Sequence, residues 1–153
     1  MKGFRKWVLL CSLLIVTCSL AFAQTAQRIA WLLEQEHVSY AHSALLVFEA
    51  ADLIDPAAGL SPEQAFAFAL ENELLPRGAQ ANQAVTMRGL SFMIMRAFDL
   101  KGGFFYTMTK SQHHAYRELL HRGIIQGRAD PFMLVPGDKL LFVVSRTLFL
   151  ENR

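Results

Sequence analysis

The chain has 153 residues, 53% of them hydrophobic and 18% charged, with a formal net charge of +2 and two cysteines. That length accommodates a leader and one domain able to bury a real core. Both cysteines, Cys11 and Cys18, fall within the first twenty residues, so a chain that loses this stretch has no disulfide, thiol chemistry or cysteine metal site open to it.

The N-terminus has the three parts of a cleavable secretory signal. Lys2, Arg5 and Lys6 make a positive start, Trp7 to Leu20 are almost wholly apolar, and Ala21-Phe22-Ala23 places small residues where signal peptidase cuts. The expected division is residues 1–23 as signal and 24–153 as a single helical domain, exported to a periplasm or the cell surface. A membrane anchor is the rival reading, but the apolar run is short of the roughly 20 residues of a span and no basic stop-transfer cluster follows it. A second rival makes Cys18 a lipoprotein acylation site after Ile15-Val16-Thr17, with Thr17 bulky for that role.

Without Lys2, Arg5 and Lys6, twelve bases face thirteen acids and the net charge becomes about −1. From residue 24 to 75 there are eight acids and only Arg28 as a base; from 76 to 153 there are eleven bases and five acids. The basic half would suit an anionic partner, whereas the bland reading is that the two halves attract each other or are simply solvated. Nucleic acid is not an expected partner, since export separates the chain from it and no basic, aromatic reader pattern occurs.

In chain order, 26–38 and 42–53 predict a first helix pair. Ser61-Pro62-Glu63-Gln64 is a helix start with a capping box, and Ala65, Phe66, Ala69 and Leu70 continue on one face until Pro76 and Gly78. Thr86 caps a helix carrying Leu90, Met93, Ile94 and Ala97 at helical spacing, ended by Lys101-Gly102-Gly103. A helix from Ser111 to His121, stopped by Gly123, and another from Pro136 to about Phe149 follow the same plan. Phe104 to Met108 and Phe132 to Val135 read as brief extended segments between helices.

Laying Ser61 to Leu100 on Ser111 to Leu150 needs no gap and gives nine identical pairs, among them Ser61/Ser111, Leu90/Leu140, Phe92/Phe142 and Arg96/Arg146. The expected fold is therefore all-α, built of helix-loop-helix repeats at 61–100 and 111–150. Residues 24–56 form either a degenerate third unit or a cap on a two-unit stack. Phe92, Phe142, Phe66 and Tyr116 are expected in the core, and Phe104-Phe105-Tyr106 is expected to wedge the repeats together, an exposed apolar contact being the alternative.

The repeats resemble the S-layer homology domain, a helical module by which exported proteins hold cell-wall polymers. The resemblance rests on His113-His114-Ala115-Tyr116, Gly123-Ile124-Ile125-Gln126-Gly127, Asp130 with Phe132, Val85-Thr86 and Phe92 to Ala97. The family's Thr-Arg-Ala-Glu motif would fall at Thr86-Met87-Arg88-Gly89 and Pro136-Gly137-Asp138-Lys139, and neither keeps it. The resemblance implies a non-catalytic anchoring or scaffolding module whose partner is an anionic wall polymer or another envelope protein.

Arg88, Arg128 and Lys139, near helix starts, are the candidate ligand-binding residues, because backbone N–H groups there favour anions and nearby cations add to the field; the plain alternative is three solvated bases. No cofactor is expected. The competing chemical reading is a metal-binding protein or enzyme using His114, Glu118 and His121, which share a helix face, although that face lies opposite the Ala115, Tyr116, Leu119, Leu120 stripe and so points to water. A third reading is a self-associating subunit whose acidic half docks on the basic half of the next copy. Arg96 and Arg146, late in their helices, are expected to cap carbonyls.

Overall fold

Each of the three central helices of this protein begins two residues after a valine, and those valines are bonded in a ring. In the computed structural model, which describes residues 26–127 and 130–151, the Val38 N–H donates to the Val135 carbonyl at 2.9 Å. Val135 donates to Val85 at 3.0 Å, and Val85 donates back to Val38 at 2.8 Å. All three are buried. A closed ring satisfies three buried backbone donors at once, which an isolated helix start cannot do for itself.

The described residues are helical, with no strand or sheet among them; Ser39 with Ala84 and Thr86 with Leu134 are isolated antiparallel bridges. They divide into two compact units at Gln35 and Glu36, a boundary that falls inside the first expected helix pair. The first unit contributes α1, residues 26–33, closed by Gln35, whose backbone bonds the Leu32 carbonyl and whose amide bonds that of Trp31. The expected helix to residue 38 stops early: the Glu34 and Gln35 N–H groups tighten onto the Trp31 and Leu32 carbonyls, three residues back, and the Val38 N–H goes to the ring.

The second unit contains α2 (Tyr40–Ala50), a 3₁₀ turn (Pro56–Ala58), α3 (Pro62–Glu71), α4 (Met87–Ala97), α5 (Phe104–Thr109), α6 (Gln112–His121) and α7 (Gly137–Glu151). The capping residues act as their sequence positions predict. Ser61 and Gln64 form the full capping box of α3, and Thr86 accepts from Gly89 N–H at the start of α4. Ser39 and Ser111 do the same for α2 and α6. The next donors of α2 and α4 are taken by loops: Tyr40 and Ala41 bond the carbonyls of Gln83 and Ala81, while Met87 and Arg88 bond those of Met133 and Pro131.

Helix α3 packs on α2, α6 packs on α4, and α2 touches both α4 and α7. Val47, Phe48, Leu90, Met93, Ile94, Leu119, Leu140 and Val143 fill the space between them with no exposure, an apolar burial that stabilises without any covalent staple. Leu70 and Phe142 were expected inside but are 54% and 44% exposed. Phe66 and Tyr116 are buried and Phe92 is half-buried.

Four helices end with the same left-handed closure. Asp52, Glu73, Asp99 and Gly123 have positive φ, and the next residue in each case, Leu53, Leu74, Leu100 or Ile124, returns its N–H five residues back. This is the Schellman geometry. Helix α3 therefore ends before Pro76 and Gly78, the stop signals in its sequence. Phe104 to Met108, expected to be extended, is helical, with Tyr106 turned inward and buried. Of Phe132 to Val135, Leu134 enters a bridge and Val135 the ring.

No described helix is long and apolar enough to cross a membrane. Residues 1–23, the expected signal segment with Cys18, lie outside the described residues.

Candidate functional site

A basic surface gathers where α4 faces the start of α6. A groove of about 860 Å³ is lined by Arg77, Arg88, Arg96 and Lys110, with Glu73 as the one acid on its wall, and with Phe92, Leu75, Pro76 and His113 as its apolar and aromatic parts. That volume suits a small ligand or a segment of a polymer. Four cations against one carboxylate give it a positive field.

Arg88 is held there from both ends. Its backbone N–H bonds the Pro131 carbonyl at 2.9 Å, and its guanidinium lies over the Phe132 ring, 4.2 Å from the centroid, within cation–π range. Its Nε is buried and meets no acceptor among the described residues. A buried charged donor left unsatisfied is costly, so an oxygen ligand reaching it would gain more than one meeting a solvated base. The residue after it, Gly89, sits against the Tyr40 ring; a methyl there would run into the Tyr40 hydroxyl, which explains why the chain has glycine at this position.

Arg96 is shared between structure and groove. Its Nε donates to the Glu73 carbonyl at 3.2 Å, and its Nη2 lies 3.9 Å from the Glu73 carboxylate. Arg146 makes the same bond to the Gly123 carbonyl. Both arginines thus cap carbonyls as expected, but those of the preceding helix's closing turn rather than their own helix. Lys139 lies apart: its Nζ reaches the Gln126 carbonyl at 3.3 Å, and it does not line the groove. Arg128 falls outside the described residues. Of the three candidates, then, Arg88 alone is placed in the groove.

Arg77 and Lys110 were not singled out by the sequence. Arg77 follows α3 in an irregular loop, and Lys110 ends α5 in a left-handed conformation. Their only signal was membership in the basic half of the chain.

Of the His114, Glu118, His121 face, His121 is exposed as expected, whereas His114 and Glu118 are half-buried. His114 is half-buried, with its Nδ1 2.9 Å from the Ser111 hydroxyl and 2.8 Å from that of Thr109, and its ring stacks on Phe105. Glu118 accepts from the Gly103 N–H at 3.0 Å and from Arg122 Nε at 3.2 Å. The Gly103 bond, then Arg122 and His121, hold its carboxyl below the ordinary value against the opposing effect of burial. Both carboxylate oxygens are committed to protein donors, and among the described residues no group of three His, Cys, Asp or Glu is placed to hold a metal ion.

No family model, curated protein or solved structure matches the chain.

Proposed function

We propose that this chain is an exported, non-catalytic envelope module, a three-unit relative of the S-layer homology fold, whose basic groove holds an anionic stretch of cell-wall polymer. The single observation that carries the reading is Arg88. Its buried Nε has no acceptor among the described residues, and it lines a groove shared with Arg77, Arg96 and Lys110. The ring of Val38, Val85 and Val135 supports three units over two, because each valine leads into one central helix and each donates and accepts once.

Anionic oxygens fit the groove better than a neutral sugar would, since charge-assisted bonds are about twice as strong as neutral ones. The test is cosedimentation of purified 24–153 with wall bearing its anionic polymer and with stripped wall. Selective pelleting with intact wall, weakened about tenfold by Arg88→Ala and by added salt, is expected. Lys139→Ala, outside the groove, is expected to leave pelleting unchanged. Equal pelleting with stripped wall, or an Arg88→Ala protein that folds and binds normally, would overturn the assignment.

A further inference from the structure

Helix α5 turns its apolar side outward. Phe104, Phe105 and Met108 are 73%, 66% and 71% exposed, while Tyr106 on the opposite side is buried and roots the helix in the protein. Scattered exposed apolar residues are ordinary, but three large ones within one turn form a patch. The patch is propped rather than loose. Phe104 meets Phe105 edge-on at 5.7 Å, Phe105 stacks on His114 at 5.8 Å, and the Thr107 and Thr109 hydroxyls bond carbonyls of the same turn.

Lysines flank this tip at both ends. Lys101 precedes it and Lys110 terminates it; both are exposed, and neither ammonium has a hydrogen bond or ion pair among the described residues. Arg117, also exposed, lies beside the aromatic pair. The nearest acid on α6, Glu118, is already neutralised by Gly103 N–H and Arg122, which leaves the exposed Asp99 as the acid closest in sequence. An apolar tip bracketed by free cations complements a surface that is apolar within and anionic at its face.

We propose that α5 is an interfacial foot that inserts Phe104, Phe105 and Met108 into an anionic lipid bilayer while Lys101 and Lys110 meet the headgroups. The area argues for a bilayer over a second copy of the chain. The three side chains expose roughly 400 Å², half of the ~800 Å² per partner of a stable protein interface. A bilayer demands no shape complementarity, and a few apolar side chains with nearby lysines attracted to an anionic surface suffice for reversible attachment. The foot is independent of the wall-polymer reading: Lys110 borders both surfaces, but Phe104, Met108 and Lys101 do not line the groove.

The test is flotation of purified 24–153 with phosphatidylcholine vesicles and with vesicles in which about a third of the lipid is phosphatidylglycerol. Binding to the anionic vesicles, reduced severalfold by moderate salt, is expected. The double variant Phe104→Glu, Met108→Glu should lose at least tenfold in binding with an unchanged melting curve, and Lys101→Glu should weaken binding to the anionic vesicles only. Binding retained by the double variant, equal binding to both vesicle types, or absence of binding at low salt would each overturn the proposal. So would a concentration-dependent dimer that the double variant abolishes, since the patch would then belong to a second copy.

Discussion

Glu118 and Arg122 show how single residues tie the second half of the chain together. Arg122 donates to Glu118 and to the Lys101 carbonyl, and lies 3.8 Å from Glu151 at the end of α7, so one side chain links α6, the loop before α5 and the last helix. Glu118 in turn holds Gly103, the residue on which α5 begins. Because its carboxyl is held below the ordinary 4.5, its contribution is present above that value and is lost as pH falls through the lower folded value. The gap in melting temperature between the protein and Glu118→Gln should therefore stay constant from about pH 7 to 5 and close in more acid solution. A gap that does not narrow at all on acidification, down to the point where the protein unfolds, would mean the carboxylate charge contributes nothing. Arg88, on which the proposed binding rests, differs in kind: its buried Nε meets no acceptor among the described residues.

At the scale of elements, helix starts follow sequence rules here, whereas among these left-handed helix ends only Gly123, which closes α6, is the glycine the rules ask for. Ser61, Thr86 and Ser111 cap as their types dictate, since a short hydroxyl competes well for the free N–H groups of a first turn. The other three ends rely on Asp52, Glu73 and Asp99 in the left-handed region, where a side chain costs about 1 kcal/mol or more relative to glycine. They are carried by the following leucine, whose N–H closes the turn. Asp52→Gly should thus raise stability by about 0.5–1 kcal/mol, read as a higher midpoint in urea; a lower midpoint would show that the Asp52 side chain has a partner worth more than the strain. Helix α5 inverts the usual logic, with its aromatic pair outside and a single tyrosine inside.

For the molecule as a whole, the valine ring makes the second unit one cooperative object. Val38 depends on Val135, ninety-seven positions later in the chain, and Val135 on Val85, so no contiguous part holds its own central bonds. Helix α4 also needs α6 to cover it. A chain cut after Leu100 is expected to lose the sharp thermal transition of the full protein, its circular dichroism falling gradually with temperature as buried apolar surface at Ile94 and Met93 is exposed. A sharp transition in the truncated chain would mean the ring is ornamental to stability.

The sequence by itself determined the all-helical class, the helix starts and most of the buried faces, because these depend on residue type and on spacing along one element. It also placed Arg88 near a helix start. What it obscured was the first unit: Val38 aligns with Val85 at a shift of 47, as do Ala50 with Ala97, Asp52 with Asp99 and Leu53 with Leu100, but a search at the 50-residue spacing of the later pair passes over them. Only the tertiary structure decided that Arg88 joins Arg77, Arg96 and Lys110 while Lys139 stands apart, that Glu118 serves Gly103, and that Phe104 and Phe105 face outward. Each of those outcomes depends on which loops close over which helix, and loop closure is set by contacts between residues far apart in the chain, where neither periodicity nor capping carries information.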